Sequence, residues 1–150
     1  DEIKKNFDIV CFGGGKFLKE ELDYLQELSI DVKKVKNIQG SDEILASLYK
    51  SSFSLVYPSS YEGFGLPLLE AMSCGCPVIA SNSSSLPEVY GDSALSFENN
   101  SVENLCDCIK KISTDNSLRS LLIKKGLQRS KEFSWKKCSD ETALIYKSLI

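Results

Sequence analysis

Short apolar runs alternate with amphipathic stretches along this chain, and the alternation predicts strand, helix, strand, helix. Residues 7–12 form an apolar, strand-forming run that leads into Gly13-Gly14-Gly15, and a helix is expected from there to about Leu28. A short strand is expected near residues 32–35. Ser41 suits an N-cap, with Asp42 and Glu43 in the first turn and Ile44, Leu45, Leu48 and Tyr49 on the apolar side. Residues 53–57 are again strand-forming, and Pro58-Ser59-Ser60 ends them. A strand at 77–80, a polar loop at 81–85, a short helical turn at Leu86-Pro87-Glu88 and an edge strand at 94–97 follow. The remainder reads as helices. Ser101 caps one carrying Val102, Leu105, Ile109 and Ile112. A turn at Asp115-Asn116 precedes another with Leu118, Leu121 and Leu122. Ser134 caps the last, where Trp135, Cys138, Thr142, Ile145 and Leu149 form a stripe that reads as core and as a contact face.

The pattern implies an α/β fold: a Rossmann-like parallel sheet with helices on both faces, followed by C-terminal helices. Ligands in such sheets bind at the carboxyl ends of strands, and the loop after Tyr57 is such a place. That loop carries the most informative residues. Glu62, Gly63, Phe64, Gly65, Leu66, Pro67, Leu68, Leu69 and Glu70 set two carboxylates around two glycines and a proline able to open a helix. Gly75 is a reasonable stop for that helix, and Pro77 cannot continue it. A helix N-terminus presents unpaired N–H groups and a partial positive charge, which attract phosphate. The glycines let the backbone turn tightly and approach a ligand closely. Carboxylates repel phosphate, so Glu62 and Glu70 are better matched to hydroxyls, each such hydrogen bond being worth about 1.5–3 kcal/mol. A nucleoside diphosphate sugar offers both groups. Taken alone, the same residues are equally the opening turn of a surface helix, its acids stabilising the dipole.

The surrounding text is more specific. Residues 57–94 read YPSSYEGFGLPLLEAMSCGCPVIASNSSSLPEVYGDSA. This closely resembles the C-terminal half of retaining GT-B glycosyltransferases of the family 4 (group 1) type, which includes bacterial mannosyl- and glucosyltransferases. Glu62 to Glu70 matches the family's E-x7-E motif. Pro58-Ser59 precedes it, Glu70-Ala71-Met72 closes it, and Gly75-x-Pro77-Val78 and Leu86-Pro87-Glu88-Val89 follow. Residues 7–15, 41–49 and Phe133-Ser134-Trp135 fit the family as well, so the likeness covers nearly the whole chain.

The resemblance implies that residues 1–150 are a single nucleotide-sugar (donor) binding domain from the C-terminal half of a GT-B enzyme, truncated at its N-terminus. The acceptor domain, and a preceding strand and helix with a diphosphate-neutralising Arg and Lys, would lie outside it. The last helix would cross back to that acceptor domain. It implies Glu62 as the catalytic residue, placed against the donor sugar. The backbone of Gly63, Phe64, Gly65 and Leu66 would lie along sugar and diphosphate, and Glu70 would bind the ribose hydroxyls. Gln39, Gly40 and Asp42 map to the base-binding loop. The reaction implied moves a hexose from a GDP- or UDP-sugar to a saccharide or lipid-linked acceptor with retention of configuration, in surface polysaccharide biosynthesis. A non-catalytic nucleotide-sugar binding module and another GT-B enzyme, such as an epimerase, are the alternatives. No metal or cofactor is expected, since no Asp-x-Asp motif is present and the family does not generally need one.

Composition narrows the picture further. The chain has 150 residues, a formal net charge of −3 and ordinary apolar and charged fractions, which suit a globular domain and make nucleic acid an unfavourable partner. No apolar run reaches bilayer length and no secretory leader pattern is visible, so a cytoplasmic location is expected, with peripheral membrane association only through the missing domain. There is no histidine, which removes histidine bases and ligands. Six cysteines invite a metal or disulfide reading. The Cys74-x-Cys76 and Cys106-x-Cys108 spacings are tighter than zinc pairs usually show, so reduced core thiols are the simpler expectation. The Gly13-Gly14-Gly15 run fits neither phosphate-binding fingerprint, because Leu18 stands at the third glycine position and Phe17 follows Gly15-Lys16 where Ser or Thr is needed. It reads as a strand-to-helix turn.

Overall fold

A computed structural model describes residues 2–149, which divide into two compact units, 1–48 and 49–150. In the first unit, α1 (Glu2–Asn6) precedes β1 (Ile9–Phe12), α2 (Lys19–Glu27) and β2 (Val35–Ile38), with a 3-10 turn at Val32–Lys34. β1 and β2 pair in parallel, Ile9 opposite Val35 and Phe12 opposite Ile38. The strand expected at 32–35 therefore starts where the expectation ended. Asp31 accepts a hydrogen bond from the Lys33 N–H and initiates the turn instead. The strand expected at 7–12 starts at Ile9, and the Phe7 N–H returns instead to the Ile3 carbonyl at the end of α1. The start of α2 is capped by a carboxylate: Glu21 accepts from the Leu18 N–H at 2.7 Å.

α3 (Asp42–Ser51) leads to the second unit, which holds β3 (Leu55–Tyr57), α4 (Leu66–Ser73), β4 (Val78–Ser81), α5 (Leu86–Tyr90), β5 (Ala94–Phe97), α6 (Val102–Thr114), α7 (Asn116–Ser130) and α8 (Trp135–Ser148). Its three strands run parallel in the order β3-β4-β5, so β5 is an edge strand as expected. β4 is central and wholly buried, and its alternating side chains feed two cores. Val78 and Ala80 join Leu68, Leu69 and Met72 of α4 and Leu86 and Val89 of α5. Ile79 points the other way, to Phe97, Ile112 of α6 and Leu122 of α7. Helices cover both faces of this sheet, as a parallel arrangement requires. The parallel strands thus fall into a pair and a triplet, one in each unit.

The helix ends follow their sequence signals. Ser101, Asp115 and Ser134 accept hydrogen bonds from the N–H groups of Asn104, Leu118 and Lys137. α4 closes through Gly75, whose φ of +74° lets its N–H reach the Met72 carbonyl while the Cys76 N–H reaches that of Ala71.

The apolar stripes are less well buried than their spacing suggests. Val102 on the first turn of α6 is exposed while Ile112, near its end, is fully buried. Leu121 is also largely exposed. The α8 stripe is not core: Trp135 is 80% and Leu149 78% exposed. No described helix is long and apolar enough to cross a membrane.

Candidate active site

The motif loop leaves β3 at its carboxyl end, and α4 returns from it toward β4. α4 begins at Leu66, one residue earlier than expected, so Pro67 is its second residue and still costs no helical hydrogen bond. Gly65 is the N-cap, with φ 113° and ψ 45°, a conformation a side chain resists. Gly65 is also buried, and a Cβ there would lie 2.7 Å from the Leu86 side chain. Gly63 differs. Its φ is not positive, and a Cβ would meet nothing within 4 Å. Only one of the two motif glycines is thus demanded by the backbone; the other leaves open space at the mouth.

Three groups hold this loop in place. Ser84 and Ser85 both donate to the Glu62 carbonyl, at 2.8 and 2.9 Å, and Ser85 also reaches the Phe64 carbonyl at 2.9 Å. The Phe64 ring packs edge-on against Phe133, with centroids 5.8 Å apart. Arg129 then stacks 4.7 Å over Phe133 and donates to the carbonyls of Val89 and Glu88 at 2.9 and 2.6 Å. The carbonyl end of α5, the Phe133 segment and the motif loop are tied together by this one guanidinium. Earlier in the loop, the Ser81 hydroxyl donates to the Ser59 carbonyl.

Both motif carboxylates meet tyrosine hydroxyls. Tyr57 donates to Glu62 Oε1 at 2.7 Å, and Tyr49 lies 3.4 Å from Glu70 Oε2. Burial, then the Glu62 hydrogen bond, then the charges of Glu62 and Glu70 push the Tyr57 hydroxyl up to about 12. Tyr57 therefore stays protonated and donates. Burial and the Glu70 charge raise the Tyr49 hydroxyl as well.

Glu62, Gly63, Phe64, Gly65, Leu66 and Glu70 are thus gathered at the mouth of α4. Glu70 is exposed on the second turn, and no acid occupies the first, so dipole stabilisation does not account for the pair. Gln39, Gly40 and Asp42 belong to the first unit. Gly40 and Asp42 flank Ser41 at the start of α3, where the Ile44 and Leu45 N–H groups return to the Ser41 carbonyl. A Cβ on Gly40 would lie 2.5 Å from the end of the exposed Ile44 side chain, which would have to move aside. Tyr57, Tyr49, Ser84, Ser85 and Arg129 escaped the sequence reading. Tyr57 and Tyr49 were read as strand and helix apolar positions, Ser84 and Ser85 as loop, and Arg129 was not singled out. The only available signal was Tyr57 at the carboxyl end of the strand that feeds the motif.

Parallel sheets flanked by helices match the architecture of the GT-B glycosyltransferases. The family model for glycosyl transferases group 1 matches residues 1–129, and the chain belongs to that family. It is 48% identical over 108 residues to the O-antigen chain mannosyltransferase B of Escherichia coli, covering 72% of this chain and 28% of that protein. Among solved structures it resembles sucrose-phosphate synthase from Thermosynechococcus elongatus, with a TM-score of 0.78 at 28% identity over 93% of this chain and 38% of that one. It also resembles the C-terminal domain of a glycosyl transferase group 1 family protein from Francisella tularensis, with a TM-score of 0.65 at 28% identity over 76% and 60%. The chain thus spans under a third of the length of the mannosyltransferase it matches.

Proposed function

We propose that this chain is the C-terminal, donor-binding part of a retaining family 4 glycosyltransferase. The full protein moves a hexose from a nucleoside diphosphate sugar to a saccharide or lipid-linked acceptor in surface polysaccharide biosynthesis. The observation that carries the reading is the pairing of Glu62 and Glu70 around the Gly65-capped N-terminus of α4. The likeness to an O-antigen mannosyltransferase favours mannose as the sugar.

In this scheme the amides of Gly63, Phe64, Gly65 and Leu66 and the N-terminal end of α4 face the diphosphate. They stabilise the charge that grows on it as the glycosidic bond breaks. Glu62 holds the sugar, and Glu70 takes the ribose hydroxyls. Gln39, Gly40 and Asp42 form the base-binding side. No metal or cofactor enters the scheme. The remaining cleft wall, and the cations that neutralise the diphosphate, come from the rest of the protein, which works at the cytoplasmic side.

The test is a donor screen on the full-length protein, reading the thermal shift with GDP-mannose and UDP-glucose and then sugar transfer. Glu62→Ala should lower turnover by about a hundredfold or more while the fold survives. Near-normal transfer by that variant would remove Glu62 from the mechanism.

A further inference from the structure

Glu62 is held at both ends, and the two restraints differ in kind. Its carbonyl is fixed by Ser84 and Ser85, which set the loop backbone. Its carboxylate accepts from the Tyr57 hydroxyl, 2.7 Å from Oε1. Tyr57 is well placed for this. It is the last residue of β3, paired with Ala80 of the fully buried β4, and its ring packs against the core cluster built on α4 and α5. The ring is thereby anchored, and a tyrosine has few rotamers to lose, so its hydroxyl marks a nearly fixed point in the mouth. A glutamate on a glycine-rich loop has no such rigidity of its own. A carboxylate whose Oε1 accepts this bond keeps Oε2 as a second acceptor.

We propose that Tyr57 is a positioning residue that fixes the Glu62 carboxylate through Oε1 and turns Oε2 toward the donor sugar. The proposal rests on the donor-site reading of Glu62. A misdirected carboxylate loses more in the transition state than in ground-state donor binding, where the amides and Glu70 supply most of the contacts. Removing the hydroxyl should therefore lower kcat far more than it raises the donor KM.

The experiment uses the full-length protein and its hydrolysis of GDP-mannose or UDP-glucose, whichever it turns over faster. Wild type, Tyr57→Phe and Glu62→Ala are compared, each with its melting temperature. Tyr57→Phe keeps the ring and its packing. It should lower kcat about ten- to hundredfold, with donor KM changed less than about threefold and melting within about 4 °C of wild type. If Tyr57→Phe turns over within about twofold of wild type while Glu62→Ala is crippled, the positioning role is wrong and the reading of Glu62 stands. If both variants are near normal, the reading of Glu62 fails and takes the proposal with it. A loss of turnover in Tyr57→Phe matched by a large fall in melting temperature would make the bond merely structural and would also overturn the proposal.

Discussion

The two motif glycines make the sharpest stability test, because the structure assigns them different physical reasons. Gly65→Ala places a side chain where φ is 113°, which costs about 1–3 kcal/mol in backbone strain. The new methyl also meets Leu86 Cδ2 at 2.7 Å, and Leu86 is fully buried, so it has nowhere to move without disturbing α5. Overpacking of that kind adds about 1–3 kcal/mol. The sum, about 2–6 kcal/mol, is a large part of the roughly 5–15 kcal/mol that holds a domain together. At about 2–4 °C per kcal/mol for a chain of this size, melting followed by far-ultraviolet circular dichroism should fall by roughly 5–20 °C. Gly63→Ala meets neither obstacle and should stay within about 0.5 kcal/mol of wild type. Any loss of donor binding in that variant then reports the ligand's approach to the backbone rather than the fold. Equal melting temperatures for the two variants would refute the reasoning.

Substitutions at two further residues test what holds the loop. Ser85→Ala leaves the Phe64 carbonyl without this donor and weakens the hold on Glu62, so it should cost about 1–3 kcal/mol by urea unfolding and weaken donor binding besides. Donor affinity equal to wild type would show that the serines do not set the loop. Arg129→Ala removes two carbonyl hydrogen bonds and the stack on Phe133, and should cost about 2–4 kcal/mol in the same measurement. Arg129→Lys should recover little of it, because an ammonium cannot hold both carbonyls and the ring in one plane. Full recovery by lysine would point to charge alone.

Much of the fold was legible because local signals and packing agree. The helix caps at Ser101 and Ser134 are side-chain effects that a few neighbouring residues decide, the turn read at Asp115-Asn116 is where Asp115 caps α7, and β5 falls on 94–97 as its apolar run suggests. Legibility ended where long-range packing decides. The Asp31 cap that starts a 3-10 turn was a local signal that the strand reading passed over, whereas nothing local told that Val102 would be exposed while Ile112 sits inside the core. The α8 stripe has the periodicity of a buried helix yet stays exposed, since amphipathic spacing states that a face is apolar and not what covers it. At the site, the acids and glycines were visible as a motif. The tyrosines and serines that orient them were not, because contacts such as Ser85 to Glu62 join residues that only the tertiary fold brings together.

The central claim is a division of labour in which backbone amides take the phosphates and the two acids take hydroxyls. Calorimetric titration of the full-length wild type and its Glu70→Ala variant tests it most directly, using the donor nucleoside diphosphate and its 2′,3′-dideoxy analogue. The wild type should bind the dideoxy compound about ten- to a hundredfold more weakly, while Glu70→Ala should bind both compounds alike, at about the weaker affinity. A Glu70→Ala protein that still discriminates between them as the wild type does would contradict the account.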